Sequence, residues 1–124
     1  MLSLSPAVRI FVARAPCDLR KGFDGLSAAV IGVIDEDPQS GHLFVFFNKR
    51  KDRVKTLLWD GSGYLLLYKR LEHGRFQFFD RAPGKAGAYE LRASELTLLL
   101  EGIDLRGARR RLTHDEIAKM RRPA

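Results

Sequence analysis

Apolar residues between His42 and Phe79 fall into four short runs, rich in β-branched and aromatic side chains. Three turn signals separate them: Asn48–Asp52, Asp60–Gly63 and Glu72–Gly74. Runs of this length broken by such clusters predict an antiparallel meander. Leu43 to Phe47 is nearly all apolar, the pattern of a strand covered on both faces. In the next run Val54, Thr56 and Leu58 share one face, and Lys55, Leu57 and Trp59 share the other. Tyr64, Leu66 and Tyr68 then alternate with Leu65, Leu67 and Lys69. The fourth predicted strand is Arg75 to Phe79, with Phe76 and Phe78 on one side.

Outside the meander the periodicity changes. Val8 to Ala13 predicts a first strand, closed by Pro16. Leu19, Phe23, Leu26, Val30 and Val33 recur at spacings of three and four, predicting an amphipathic helix to about Ile34 with Asp18 as N-cap. Residues 81–87 (RAPGKAG) read as a loop. Ser94 is the expected N-cap of a helix from Glu95 to Glu101, with Leu96, Leu99 and Leu100 docking and Gly102 at its C-terminus. The fold class is α+β. It is a single domain with an antiparallel four- to five-stranded meander sheet or partly open barrel, one helix after the first strand and one C-terminal helix. The domain is drawn at 1–105, and 106–124 is a basic tail. In the tail Thr113 and Glu116 make a capping box for a short helix from His114 to Arg122, expected to order on a partner.

Charge adds a second layer to this pattern. The chain has 124 residues and a net charge of +7, and the excess is concentrated in two places. Residues 49–55 carry five Lys/Arg against Asp52. Residues 106–124 carry seven against Asp115 and Glu116. The rest of the chain has ten basic and twelve acidic side chains. Segregated positive charge over a slightly acidic body favours a polyanionic partner, most often nucleic acid; plain solubility is the alternative. The hairpin tip NKRKDRVK has the form of a basic ribbon that lies along phosphates or enters a groove. Trp59, Tyr64, Tyr68, Phe76 and Phe78 offer stacking platforms where exposed and are core otherwise.

Catalysis finds less support. Asp60 and Glu72 stand at opposite ends of one predicted strand, roughly 30 Å apart at ~3.3 Å per residue, too far to share a metal. Asp60 beside Gly61 reads as a turn residue. His42, His73 and His114 show no ligand spacing, and Cys17 is the sole cysteine. No metal or other cofactor is expected, and no enzyme activity. Cysteine usage fits a reducing cytoplasm. No apolar run approaches the ~20 residues of a membrane span, and no signal peptide is evident at the N-terminus.

The segments VRIFVARAPCDLRKGFDGL, DPQSGHLFVFFNKRKDRVKTLLWDGSGYLLLYKRLEHGRF and LLLEGID, in that order, carry a resemblance. Over residues 8–105 the chain resembles the TnpB-type (Orf2-like) accessory protein of bacterial insertion sequences of the "sixty-six" family. It departs from that pattern at Cys17, Leu19, Phe78-Phe79 and Leu105. The resemblance implies a non-catalytic role in DNA transposition, beside a transposase and a helix-turn-helix-type partner. It brings no catalytic residues. DNA, at the insertion-sequence ends, is the expected ligand. The expected contacts are Lys49, Arg50, Lys51, Arg53, Lys55, Lys69, Arg70, Arg75, Arg20, Lys21, Arg109, Arg110 and Arg111. Two alternatives stay open: an adaptor that touches only proteins, through a sheet edge or the tail, and a metal-dependent nuclease. A homo-oligomer is compatible with either binding role.

Overall fold

A computed structural model describes residues 7–78 and 86–102. Five strands form one open sheet: β1 (Ile10–Ala13), β2 (Leu43–Phe47), β3 (Arg53–Trp59), β4 (Tyr64–Arg70) and β5 (Ala88–Leu91), in the order β4-β3-β2-β1-β5. β2, β3 and β4 are the meander read from the sequence, and both of its ladders are antiparallel. β1 runs parallel to β2, with Ile10 opposite Leu43. Parallel neighbours need a long crossover, which residues 14–42 supply. Helix α1 (Phe23–Ala29), continued by a π-helical turn over Val30–Ile34, lies in that crossover.

Alternation along the strands divides the core into two layers. Ile10, Val12, Leu43, Val45, Phe47, Val54, Leu58, Tyr89 and Leu91 face α2 (Ala93–Leu100) and bury its Leu96 and Leu99. Phe11, Ala13, Phe44, Phe46, Leu57 and Ala88 face α1 and meet Leu19, Leu26, Val30 and Ile34. Every side chain of β2 is buried, because β2 is covered on both faces and flanked on both edges.

Four expectations are corrected. First, Arg75–Phe78 is not a strand. The Phe76 N–H donates to the Lys51 carbonyl at 2.7 Å, and the Leu71 N–H donates to that of Asp52 at 2.8 Å. The chain after β4 thus crosses the β2–β3 turn instead of pairing with β4. Phe76 and Phe78 still share a side, packing on the α2-side core, with Phe78 stacked on Phe47 at 4.0 Å. Second, Ala88–Leu91, at the end of the expected loop, pairs antiparallel with β1.

Third, Asp18 is not a helix cap. Its Oδ1 accepts the Arg20 N–H at 3.0 Å in a local turn, and α1 begins at Phe23 behind Gly22. The π-turn then widens the helix, so Ile34 turns inward where regular spacing placed Val33. Phe23 and Val33 are about half exposed, at 48% and 52%. Fourth, α2 starts at Ala93, with Arg92 in the cap position. The buried Glu95 carboxylate accepts the Arg92 backbone N–H at 3.0 Å, so Ser94 lies inside the first turn. Gly102, at φ 81, closes α2 as expected. Phe79, most of the 81–87 loop and the tail helix lie outside the described residues.

Candidate nucleic-acid interface

The β2–β3 turn is a tied structure. Asn48 Oδ1 accepts the backbone N–H groups of Asp52 at 3.1 Å and Arg53 at 3.0 Å. Its Nδ2 donates to Asp52 Oδ1 at 2.6 Å. Lys51 takes a left-handed conformation at φ 62 and donates its N–H to the Asn48 carbonyl. The donation from Asn48 holds the Asp52 carboxyl below the usual carboxylate range. Lys49, Arg50 and Lys51 point outward from this frame and are exposed.

Asn48→Ala is expected to cost about 1–2 kcal/mol through the missing turn hydrogen bonds and to raise the Asp52 titration. A depressed folded pKa stabilises above the unfolded value and is lost as pH falls through the folded one. The gap to wild type should therefore narrow in acid. Urea melts at neutral and acidic pH test this; the same gap at both would exclude the Asn48–Asp52 contact as its source.

Register brings further cations to the same end of the sheet. Arg53 pairs with Arg70, and Lys55 with Tyr68, so all four side chains lie on the α1 face. Arg53 and Arg70 are exposed, and Tyr68 is 53% exposed. Lys55 is buried, with its ammonium 4.8 Å from the Tyr68 ring centroid. Its Nζ donates to the Lys21 carbonyl at 3.0 Å, drawing the 18–22 loop onto this edge. Arg20 and Lys21 are exposed there. Arg75 is exposed beside Phe76, whose N–H is tied to Lys51.

Not every cation at this end is equally available. Arg20 pairs with Asp18 at 2.8 Å, and its guanidinium and N–H hold that carboxyl at about 2. Arg70 pairs with Glu72 at 3.0 Å. Both pairs are local and exposed, so neither locks helix to sheet, and such pairs contribute little to stability. Lys69 faces the opposite layer, where its Nζ donates to the Leu100 carbonyl at 2.6 Å at the C-terminus of α2. Arg109, Arg110 and Arg111 lie outside the described residues. The two lysine-to-carbonyl contacts join residues more than thirty apart, and spacing gave no sign of them.

Asp60 and Cys17 have structural explanations. Asp60 Oδ1 accepts the N–H groups of Ser62 and Gly63, each at 3.0 Å, and these bonds lower its pKa. This is the turn role read from the sequence. Burial pushes the Cys17 thiol up, away from thiolate chemistry. Among the described residues no three His, Cys, Asp or Glu side chains gather as a metal site. No helix among them is long and apolar enough to cross a membrane.

Comparison with known proteins agrees with the sequence resemblance. A family model described as "IS66 Orf2 like protein" matches residues 8–110. The chain is 43% identical over 104 residues to "Uncharacterized protein y4jC" of Sinorhizobium fredii (strain NBRC 101917 / NGR234), covering 84% of this chain and 86% of that protein. It is 36% identical over 106 residues to "Uncharacterized protein y4hO" of the same strain, covering 86% and 90%. No solved structure matches the chain.

Proposed function

Because the chain belongs to the IS66 Orf2-like family, we propose that it is a non-catalytic accessory protein of DNA transposition that holds DNA on the basic end of its sheet. The observation carrying this reading is the meeting of separate basic segments at that end. The turn supplies Lys49, Arg50 and Lys51, the β3–β4 ladder supplies Arg53 and Arg70, and the loop before α1 supplies Lys21. Arg75 joins them from the crossing segment. A ridge of this kind suits phosphates, which take charge from either side. Tyr68 offers an exposed ring among the cations for contact with a sugar or base. Lys55 and Lys69 support the surface from beneath through their carbonyl contacts.

Binding of this kind releases counterions, so affinity for duplex DNA should fall linearly on a log–log salt plot. Changing Lys49, Arg50, Lys51 and Arg53 to Ala should flatten the slope by about 0.9 for each phosphate that is no longer neutralised. An unchanged slope would remove the turn from the interface. The adaptor alternative predicts instead no salt-sensitive DNA binding and direct capture by purified transposase or its helix-turn-helix-type partner.

A further inference from the structure

The outer edge of β4 is the least protected feature among the described residues. β4 spans seven residues and stands at the end of the sheet. It contains no proline and exposes Leu65, Leu67 and Tyr68. The opposite edge, β5, is four residues long, and its Glu90 is ion-paired to Arg9. Long, flat, apolar edges invite strand addition unless a charge, bulge or proline blunts them.

Hydrogen-bond alternation shows which groups are on offer. Asp60 N–H donates to the Gly63 carbonyl, and Leu71 N–H donates to the Asp52 carbonyl. With the β3–β4 register, the bonded pairs therefore fall on Leu65, Leu67 and Lys69. The N–H and C=O groups of Tyr64, Leu66, Tyr68 and Arg70 point to the open edge.

We propose that β4 pairs antiparallel with β4 of a second copy of this chain, about a two-fold axis at Leu67. This goes beyond the DNA-binding reading and does not depend on it. In that register Leu66 bonds with the partner's Tyr68, and Tyr64 bonds with the partner's Arg70. Leu67 faces its own mate in a non-bonded pair. The sequence of β4 selects this arrangement. Both cations, Lys69 and Arg70, sit at one end of the strand. A parallel pairing would set like charge on like charge, which is destabilising. The antiparallel pairing sends the cations to opposite ends of the seam, with Arg70 across from an aromatic ring and Lys69 across from Leu65. It uses all seven residues and covers Leu65 and Leu67 on the α2 side. The two-fold axis is perpendicular to the sheet, so Arg53, Tyr68 and Arg70 of both copies lie on one side of a ten-stranded sheet.

Sedimentation equilibrium of the full chain without DNA tests the pairing. Wild type should pass from monomer to dimer with concentration. Leu67→Lys, at a position already half exposed, should weaken the dimer at least ten-fold while leaving the thermal melt of the monomer in place. Leu67→Cys in a Cys17→Ala background should form a disulfide-linked dimer on mild oxidation, since non-bonded antiparallel mates lie about 4.5 Å apart at Cα. Leu65→Cys in the same background should not, its mate being Lys69. A wild type that stays monomeric at every concentration, a dimer indifferent to Leu67→Lys, or equal crosslinking by both cysteine variants would each overturn the proposal. A monomer would point to another occupant of the edge, such as this chain's own residues beyond 102 or a different protein.

Discussion

Phe76→Ala is expected to destabilise the protein by about 3–5 kcal/mol, as large as any single truncation in the sheet core. Phe76 lies in irregular backbone, where substitutions are usually mild. Its side chain, however, is 1% exposed and packs in the layer that holds Val54, Leu58, Leu96 and Leu99. Truncation removes the apolar packing and leaves a hole that the strands beside it cannot close. The backbone bond from Phe76 to Lys51 survives in the variant, so the loss isolates the side chain. The same ring anchors the crossing segment under the basic turn. If the basic end holds DNA as proposed, affinity for duplex DNA should fall in the variant even where it remains folded. Urea denaturation measures the first effect; a loss under about 1 kcal/mol would mean the segment is not part of the core.

Gly87→Ala should be comparably severe for the opposite reason. A Cβ there would overlap the Val33 carbonyl oxygen and stand 2.7 Å from its carbon. Both are backbone atoms of the π-turn and cannot rotate aside. The Gly87 carbonyl is also fixed, accepting the Arg14 N–H at 3.0 Å. Either β5 leaves β1 or the π-turn shifts off the sheet, at a cost of about 3 kcal/mol or more, the upper end of overpacking. Gly32→Ala is the internal control, because nothing lies within 4 Å of its would-be Cβ. Removing glycine flexibility there should be neutral or stabilise by up to about 1 kcal/mol. Equal melting of the Gly87 variant and wild type would show that the close approach is absent in solution.

The parts of the fold readable from sequence are those set by local hydrophobic pattern and turn residues. β2 follows from its unbroken apolar run, β3 and β4 from face-sharing residues between turn signals, and the docking leucines of α2 from helical spacing. Much of what escaped was set by contacts that the local pattern does not encode. β5 has only four residues, yet Tyr89 and Leu91 do alternate with Glu90, a short strand signal in its own right. Phe76 has the composition of a strand residue, but its N–H is claimed by a turn carbonyl. Val33 matches the helical spacing, and the π-turn rotates it outward. At the candidate site, the pairing of Arg53 with Arg70 follows from two adjacent strands and a short turn. The anchoring of Lys55 to the 18–22 loop is a tertiary contact that no spacing encodes.

The strand order also divides the sheet by when its parts can form. β2, β3 and β4 join through short turns, so each pairing closes a small loop. β1 pairs with β2 across the α1 crossover, and with β5 almost eighty residues downstream. Large loops cost more entropy before their contacts repay it. Amides of the β2–β4 ladders should thus gain protection before those of β1 and β5 in pulsed hydrogen exchange during refolding; simultaneous protection would contradict this order. During synthesis the chain would hold β1 with one bare edge until Leu91 has been made. The last strand then closes a sheet whose basic turn is already in place.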